Sequence, residues 1–325
     1  MFNQSGPVTY GGVISGSGTF EVAGGSVTLT GTNTLSGNTS VSGNLLLSSG
    51  GSLAGSVDVQ SGGNLAGDVV GLTSGSIGGA VTIHSGAGLQ SVSGTTTLTT
   101  GALSFDAGAS VVTTLVSPST TAAVSVTGNL TLDGTLSVLT TGGPFSSPAD
   151  GTYRLFDYTG TLTDNGLTIA SVPAYSLYKI NTAVSQQVDL IVIAGQWWNG
   201  TTTASGGSSV QGGDGTWDVA AATTNWTNQA GDTARAWTQG GIAVFGGDAG
   251  TVTISGSTAP NLVGAFFVTD GYVVSGGSLT LSAFTAGAVP QVDVGTGVTA
   301  TISSSIAGTD GLEKTGAGTL VLSGA

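Results

Sequence analysis

The sequence predicts an all-β protein in which short strands stack as the coils of a solenoid. Apolar and polar residues alternate over many short stretches, and similar stretches recur at shifts of twelve and twenty-four residues. The composition agrees, because 58 of the 325 residues are glycine and only 6% are charged. No stretch keeps a helical period for more than one or two turns, so helices are not expected.

The strand pattern consists of apolar–polar–apolar triplets, which place one side of each strand in a core. Pairs of glycine with glycine, serine or asparagine separate the triplets and supply the turns. The clearest triplets are Val57–Val59, Val81–Ile83, Leu130–Leu132, Leu136–Val138, Val252–Ile254 and Leu279–Leu281.

The repeats indicate that these strands are stacked units of one kind. "SGGSLAGSV" at 49–57 recurs as "SGGNLAGDV" at 61–69, and "VDVQSGGNL" at 57–65 recurs as "VTIHSGAGL" at 81–89. One coil is unstable by itself, because ordering each residue costs about 1–2 kcal/mol and a buried Val or Leu contributes about 1.5–3 kcal/mol. Stacked coils share one core and pair every strand above and below. A β-sandwich or barrel also has short strands, but it does not predict this self-similarity.

Charge and hydropathy exclude several classes of protein. Hydrophobic residues make up 39% of the chain, which argues against disorder. No apolar stretch is long enough to span a membrane, so direct insertion of this chain is not expected. The net charge is −13 and the basic residues are too few and too scattered to bind nucleic acid. They are Arg154, Lys179, Arg235 and Lys314.

Composition also divides the chain. Residues 1–195 are predicted to be solenoid, with more regular amphipathic strands at about 144–195. Residues 196–325 are predicted to begin with a tryptophan-rich insertion or capping segment and to continue as further solenoid coils. The segment contains all five tryptophans, namely Trp197, Trp198, Trp217, Trp226 and Trp237.

Few residues offer catalytic chemistry. His84 is the only histidine, so a Ser-His-Asp triad would need it. It holds the repeat position that Gln60 holds one unit earlier, which indicates an outward polar side chain rather than a base. Asp214, Asp218 and Asp232 are close in sequence and could serve a polysaccharide-cleaving enzyme. This interpretation is the weaker one, and no catalytic residue is predicted.

A metal site is not predicted either. "GGDGTWDVA" at 212–220 is similar to a calcium-binding nonapeptide repeat. However, Trp217 occupies the place of the required aspartate, and the unit is not repeated in tandem. We therefore predict a turn at this position, with neither metal nor cofactor.

Two sets of residues are candidates for binding. The tryptophans either form a sugar-stacking surface or, more in keeping with their number, fill the core of an irregular segment. Trp197 and Trp198 point to opposite faces in a strand, so at least one of them is expected at the surface. Both are candidate binding residues, together with Arg235. Serines and threonines on the polar strand faces form the second set, which either keeps the protein soluble or provides a broad adhesive face.

The closing stretch "GLEKTGAGTLVLSGA" resembles the passenger-associated repeat of bacterial autotransporters, G-L-x-K-x-G-x-G-T-L-x-L-S-G. A degenerate copy lies at 14–31, with Val22 in place of the lysine. Stretches at 151–167 and 213–256 also resemble blocks of large passenger domains, so the resemblance covers the second half of the chain well. The residues that match the repeat motif are Gly311, Leu312, Lys314, Gly316, Gly318, Thr319, Leu320, Leu322, Ser323 and Gly324.

The resemblance implies a right-handed parallel β-helix that is secreted through an outer-membrane barrel and displayed on a Gram-negative cell. The chain would be a passenger fragment, tethered to the outer membrane, that ends in a truncated repeat. The absence of cysteine fits passage through a narrow pore. The expected function is that of an adhesin or self-aggregation factor rather than an enzyme. Its partner would be a host surface, a matrix protein or glycan, or the same protein on a neighbouring cell. The alternatives are an inert stalk that presents a tip located elsewhere and, third, a polysaccharide-active enzyme.

Overall fold

The computed structural model describes residues 1–48, 50–67, 75–95, 97–141, 148–202, 207, 209–219 and 223–324. These residues form strands, turns and bends without any helix, which confirms the all-β prediction. Contacts divide the chain into two compact units. The first comprises residues 1–174 and 178–192, and the second comprises residues 175–177 and 193–325. The predicted domain organisation, with its limit at residue 195, stays a prediction, and residues 144–147 of its first region lie outside the described residues.

The first unit is built from twenty short strands and parts of two more. In chain order they are β1 (Phe2–Tyr10), β2 (Phe20–Leu29), β3 (Thr32–Asn33), β4 (Thr39–Val41), β5 (Asn44–Leu47), β6 (Ser52–Leu53), β7 (Val57–Val59), β8 (Asn64–Ala66), β9 (Ser76–Ile77), β10 (Val81–Ile83), β11 (Gly88–Ser93), β12 (Leu98–Thr100), β13 (Leu103–Phe105), β14 (Ser110–Leu115), β15 (Val124–Val126), β16 (Leu130–Leu132), β17 (Thr135–Thr140), β18 (Gly151–Tyr158), β19 (Leu162–Asp164), β20 (Thr168–Ser171), β21 (Ser176–Asn181) and β22 (Gln187–Trp198).

Three parallel stacks of strands form the faces of the first unit. The first face contains β4, β7, β10, β13, β16 and β19, and the second contains β5, β8, β11, β14, β17 and β20. The third face contains β3, β6, β9, β12, β15 and β18. Strand β2 is long enough to pair with the first strand of both the first and the second face, and β1 pairs with β2. Each coil thus supplies one strand to each face, and the predicted parallel β-solenoid is confirmed.

The two repeat shifts have different structural meanings. Val57 on β7 lies beside Val81 on β10, so the twenty-four-residue shift is one full coil. The twelve-residue shift relates Leu53 on β6 of the third face to Leu65 on β8 of the second face. Both leucines are buried, because the same pattern of an inward apolar residue after a glycine corner suits either face.

The core of the first unit is a column of inward side chains that continues from coil to coil. Val41 lies between Val22 and Val59 in the register, and Val59 is followed by Ile83. All four are fully buried. Tight corners surround this column. At Gly63, for instance, a Cβ atom would collide with the carbonyl oxygen of Val41 on the neighbouring coil, so only glycine fits.

On the third face of the first unit the parallel pattern ends at β18. This strand pairs in antiparallel fashion with β22, over the register from Gly151 beside Val192 to Asp157 beside Gln187. An antiparallel partner cannot belong to the next coil of the same winding. The regular coiling is therefore interrupted at this point, in the region for which the sequence predicts ordinary amphipathic strands.

The second unit begins irregularly and then coils again. Its further strands are β23 (Gly215–Trp217), β24 (Trp226–Thr227), β25 (Gly241–Phe245), β26 (Thr251–Ile254), β27 (Asn261–Phe267), β28 (Val273–Gly276), β29 (Ser278–Leu281), β30 (Gln291–Val294), β31 (Thr299–Ile302), β32 (Ser305–Ala307), β33 (Glu313–Thr315) and β34 (Thr319–Leu322).

In the second unit β23, β26, β28, β31 and β34 stack in parallel on one face. On another face β25 pairs with β27, which pairs with both β29 and β30, and these continue to β32 and β33. Strand β24 pairs in antiparallel fashion with the end of β22, where Trp198 lies beside Trp226. The tryptophan-rich segment thus contains an antiparallel pairing beside parallel ones, and its assignment as an insertion or cap stays a prediction.

Candidate binding surface

A continuous row of hydroxyl side chains runs along the outside of the third face. In the strand register Thr32 lies beside Ser52, Ser52 beside Ser76, Ser76 beside Thr99, and Thr99 beside Ser125. We call these five residues the hydroxyl ladder. Thr32 and Ser76 are exposed and the other three are half-buried. The ladder was expected from composition, but the sequence did not show which residues form it.

The alternation of each strand explains why the ladder points outward. The neighbours of the ladder residues along the strands, Leu53, Ile77, Leu98 and Val124, are all buried. Because successive side chains of a strand point to opposite sides, the serines and threonines between them face solvent. Neighbouring rungs of a β-solenoid are about 4.8 Å apart, so the hydroxyl groups repeat at that spacing.

The chemistry of the hydroxyl ladder suits broad and weak recognition. Each hydroxyl offers one donor and two acceptor positions, so it can pair with amides, hydroxyls or carboxylates of a partner. Short side chains let another surface approach closely. None of the five residues is charged; the next position in the register, beside Ser125, is Asp157 on β18.

The first face carries a related but different row. Ser104 lies between Thr82 and Thr131 on its outer side, which resembles the hydroxyl ladder. Further along the same row, however, come Asp58 and Glu21. The Asp58 carboxylate accepts a hydrogen bond of 3.0 Å from Nδ2 of Asn38. This row is therefore acidic at one end and is a natural control surface for the hydroxyl ladder.

His84 lies at a corner after β10, with its side chain 37% exposed. Its Nδ1 atom is 2.8 Å from Oδ2 of Asp106, which occupies the equivalent corner of the following coil. Among the described residues no serine hydroxyl bonds to the imidazole. The outward polar position expected from Gln60 is thus present, and His84 and Asp106 form a contact at the surface.

Two of the three acidic residues considered for an enzyme, Asp214 and Asp232, bond to their local surroundings. Oδ1 of Asp214 accepts a hydrogen bond of 2.7 Å from the backbone N–H of Thr251 at the start of β26. The pKa of Asp232 is lowered, mainly by the hydrogen bond from Thr233, then by that from Asn228, with a smaller electrostatic effect of Arg235. Across the described residues, no group of three or more His, Asp or Glu side chains is arranged to hold a metal ion.

The glycine-rich stretch that resembles a calcium motif is a turn only at its start, because a bend at Asp214 leads directly into strand β23 (Gly215–Trp217). Gly212 and Gly213 have positive φ values of 71° and 86°, which side chains other than glycine rarely adopt. The indole Nε1 of Trp198 donates a 2.8 Å hydrogen bond to the carbonyl of Gly213 and fixes the turn. Trp217, at the position where the motif needs an aspartate, is buried in the core. Ala220 lies outside the described residues.

All five tryptophans are buried, so the expectation that Trp197 or Trp198 is exposed is wrong. They point to opposite sides of β22, as predicted, but each side is covered by apolar residues of the second unit. Buried rings offer no face on which a sugar could stack. Their relative exposures are 7% for Trp197, 0% for Trp198, 1% for Trp217, 0% for Trp226 and 5% for Trp237.

The tryptophans form two packed groups. The ring centroids of Trp217, Trp226 and Trp237 are 4.8–4.9 Å apart. Trp197 instead packs edge-on against Tyr175, with 5.0 Å between centroids. Aromatic pairs at such distances stabilise a core beyond the area that they bury. The segment is therefore held together by ring packing where regular strand pairing is sparse.

Arg235, the third binding candidate, is half-buried beside this aromatic group. Its backbone exchanges two hydrogen bonds with Trp226, with N–O distances of 2.7 and 3.1 Å. The residue thus holds the chain of the tryptophan segment in place through its backbone. Its role as a ligand-binding cation stays a prediction.

The passenger-repeat motif forms the last described coil. Gly311 and Gly316 have positive φ values, and a Cβ atom at Gly316, Gly318 or Gly324 would meet backbone of the preceding coil. Leu312 and Leu320 pack partly against the core of the second unit, whereas Leu322 is exposed. Lys314 Nζ donates to the carbonyl oxygens of Thr315 at 3.2 Å and Gly316 at 2.9 Å. The motif therefore encodes one strand–corner–strand unit of the solenoid.

One polar network of the first unit was not predicted from the sequence. Arg154 on β18 is buried and donates hydrogen bonds to Asp189, Asp157 and Gln187. Burial alone would lower the pKa of the guanidinium, but the hydrogen bonds to Asp189 and Asp157 outweigh it and raise the pKa above its usual value. One feature of the sequence could have revealed this network: Arg154 lies inside an amphipathic strand, in a chain that has only four basic residues.

Part of the chain is similar in sequence to a known protein. The chain is 41% identical over 213 residues to the adhesin BmaC autotransporter of Brucella suis biovar 1 (strain 1330). The match covers 62% of this chain and 6% of that relative, so the chain corresponds to a small part of it. No protein-family model matches the chain, and no solved structure matches it. Within the described residues there is no helix of the length and apolarity that crossing a membrane requires. The parallel β-solenoid and the similarity to an autotransporter adhesin together fit an autotransporter passenger domain, a cell-surface protein tethered to the outer membrane.

Proposed function

We propose that this chain is an adhesive segment of an autotransporter passenger and that the hydroxyl ladder is its contact face. The relative is named an adhesin, and it is 41% identical to this chain over the matched region. The hydroxyl ladder is the observation that carries the proposal, because it is an uncharged, regularly spaced row of donors and acceptors on a flat face. The fold and the relative favour a protein that is not an enzyme.

The strength of attachment through such a face depends on how many copies of the passenger take part. A single hydrogen bond contributes about 0.5–1.5 kcal/mol net, so one ladder binds weakly. Many copies on one cell act together, which converts weak contacts into strong attachment. The partner is a surface with its own donors and acceptors: a host or matrix protein, a glycan, or the same face on a neighbouring cell.

Net charge sets the salt dependence of self-association. Two copies that each carry −13 repel one another at long range, and added salt screens this repulsion. Clumping between like cells should therefore strengthen as ionic strength rises. Attachment to a basic host protein would show the opposite trend, so the salt response separates the two kinds of partner.

The stalk is the second candidate, and one observation favours it. The five tryptophans, which are the residues best suited to a recognition hot spot, are all buried. A stalk requires only that the solenoid hold another part of the passenger away from the cell. It predicts that the outer side chains can be changed without loss of attachment.

The experiment compares cells that display the complete passenger with cells whose passenger lacks residues 1–325. Clumping and attachment to host cells and matrix are measured across a range of ionic strength. A loss of either activity on deletion supports the proposal. Unchanged clumping and attachment would leave the stalk as the function of this chain.

Deletion also shortens the passenger, so a matched pair of single variants completes the test. Thr99→Glu places a charge within the hydroxyl ladder, between Ser76 and Ser125. Ser104→Glu places the same charge in the middle of the row on the first face, between two threonines. The adhesive proposal predicts that only Thr99→Glu weakens attachment, whereas a stalk predicts no difference between the two.

A further inference from the structure

We propose that Asn165 is a site of spontaneous deamidation and that the carboxylate of Asp164 takes up the proton released in the reaction. Asn165 and Gly166 form the turn between β19 and β20, the last strands of the first and second faces in the first unit. Asn165 is exposed. This inference does not depend on the adhesive function.

The geometry exposes the reacting atoms and holds them in place. The backbone N–H of Asn165 donates a 3.0 Å hydrogen bond to the carbonyl oxygen of Leu132 and so fixes the turn to the preceding coil. Among the described residues, none bonds to the side-chain amide of Asn165. Gly166 has a φ of 98°, and nothing lies within 4 Å of the position that a Cβ atom would occupy. No hydrogen bond of the Asn165 amide to a described residue therefore has to break, and no side chain at position 166 shields the nitrogen that it must approach.

Asp164 supplies the acceptor for the proton. The backbone N–H of Gly166 donates to Oδ1 of Asp164, with an N–O distance of 3.1 Å. An amide nitrogen is a poor nucleophile until its proton is withdrawn, and a carboxylate at hydrogen-bond distance is placed to withdraw it. The other oxygen, Oδ2, is 3.1 Å from Oγ1 of Thr182, which orients the carboxylate.

The reaction balances with solvent water as the only co-reactant. The Gly166 nitrogen attacks Cγ of Asn165, and its proton passes to Asp164. The tetrahedral intermediate collapses with cleavage of the Cγ–Nδ2 bond, and the leaving nitrogen takes the proton and departs as ammonia. A five-membered succinimide remains. Addition of one water to either carbonyl opens this ring to aspartate or to isoaspartate at position 165.

The second Asn-Gly pair of the chain is an internal control, because its surroundings are the opposite. Asn199 is buried. Its Oδ1 accepts a 2.8 Å hydrogen bond from the backbone N–H of Gln211, and its Nδ2 donates to the carbonyl oxygen of Thr202 at 3.2 Å. Next to it, a Cβ atom at Gly200 would collide with the carbonyl of Gly212. An amide that is fixed in this way cannot reach the next nitrogen, so Asn199 should stay intact.

The modification would change an edge of the solenoid. Each event adds one negative charge beside Asp164, in a chain whose net charge is already −13. Isoaspartate also inserts an extra methylene into the backbone between β19 and β20. Within the described part of the chain each of these strands has a partner on one side only, so a change in their turn can alter an edge that another chain could approach.

The test is mass spectrometry of the folded full chain after incubation at mildly alkaline pH. Trypsin cleaves after Arg154 and Lys179, and the peptide 155–179 contains Asn165 as its only asparagine or glutamine. We expect the acid form of this peptide to accumulate several times faster than the acid form at Asn199, with isoaspartate among the products. Asn165→Ser should abolish the change in this peptide.

Two further variants test the part played by Asp164. Asp164→Ala should slow deamidation severalfold, whereas Thr182→Ala, which removes only the outer contact of the carboxylate, should retain most of the rate. Loss of structure is monitored by circular dichroism, since a loosened turn would speed the reaction instead. The proposal is overturned if Asn199 reacts as fast as Asn165, or if Asp164→Ala reacts as fast as the unchanged chain.

Discussion

Arg154 and Asp189 form a buried ion pair between the antiparallel strands β18 and β22, with 2.5 Å between Nε and Oδ1. The two residues face each other in the register of these strands. The other two nitrogens of the guanidinium are bonded as well: Nη1 is 2.6 Å from Oδ1 of Asp157, and Nη2 is 2.7 Å from Oε1 of Gln187. A one-residue slip of β22 would leave a buried charge without a partner, so the pair fixes the register.

We expect Arg154→Met to destabilise the first unit by about 3–5 kcal/mol, because Asp189 would remain buried without its partner. The double variant Arg154→Met with Asp189→Leu should recover much of the loss, since apolar side chains of similar volume tolerate burial. Chemical unfolding followed by circular dichroism measures both. Equal stability of Arg154→Met and the unchanged chain would show that this pair does not hold the strands.

A matched control for the ion pair is Asp157→Asn. Asp157 is 43% exposed and contacts the same guanidinium. Its loss should cost no more than about 1 kcal/mol, because solvent screens and replaces an exposed partner. A cost as large as that of Arg154→Met would contradict the assignment of Asp189 as the principal partner.

Two tyrosines predict a loss of stability in alkaline solution. Burial raises the pKa of Tyr153 and of Tyr272 from 10.0 to about 12 in the folded chain. The Tyr153 hydroxyl donates a 3.0 Å hydrogen bond to the carbonyl oxygen of Ala149. The Tyr272 hydroxyl lies 2.7 Å from the carbonyl oxygens of both Gly246 and Asp248.

The direction follows from proton binding. Between pH 10 and pH 12 the unfolded chain has released these protons and the folded chain still holds them, so the free energy of unfolding falls as pH rises. The slope should be about 1.4 kcal/mol per pH unit for each tyrosine. Tyr153→Phe and Tyr272→Phe should each make this slope shallower by the contribution of one tyrosine. Chemical unfolding across this range checks the prediction, and an unchanged slope in both variants would contradict it.

The tryptophan fluorescence of the chain should report only on the second unit, since all five tryptophans lie in it. Because the rings are buried, the emission should be blue-shifted and resistant to quenching by acrylamide. The chain unfolded in urea is the control and should emit at longer wavelength. Red, easily quenched emission from the folded chain would restore the tryptophans as surface candidates.

Removing one ring from the aromatic group should be costly. Trp226 is fully buried and packs against Trp198, Trp217, Trp237 and Phe245. Trp226→Ala should lower the stability of the second unit by about 3–5 kcal/mol through the cavity that it leaves. Urea unfolding followed by the fluorescence of the remaining tryptophans measures this, and a cost below 1 kcal/mol would mean that the ring is not core.

Glycine at the coil corners allows a matched comparison. Gly63→Ala should strongly destabilise the first unit, because the new Cβ would collide with the carbonyl of Val41 on the neighbouring coil. Gly18→Ala adds the same methyl group where nothing lies within 4 Å and φ is not positive. It should be neutral or slightly stabilising, since alanine restricts the unfolded chain. Thermal unfolding of both variants gives the result, and similar melting temperatures would argue against close packing of the coils.

The sequence by itself determined the class of fold and the two repeat shifts, of which the structure shows the longer to be one coil. Triplets such as Val57–Val59 and Val81–Ile83 place every second residue in a core, and their spacing is the length of one coil. These are local properties, because alternation and glycine corners act over a few residues. Even the passenger-repeat motif at Gly311–Gly324 is a local pattern of strand, corner and strand.

Only the tertiary structure decided which side chains are covered and which meet. Alternation correctly placed Trp197 and Trp198 on opposite sides of β22, but it could not show that residues distant in sequence, such as Tyr175 and Trp217, cover both sides. The hydroxyl ladder likewise exists only because stacking brings residues from five separate coils into one row. Arg154 and Asp189 are thirty-five positions apart in sequence, and they meet only through the antiparallel register of β18 and β22. Burial and pairing of this kind depend on contacts between distant segments, which no local pattern in the sequence encodes.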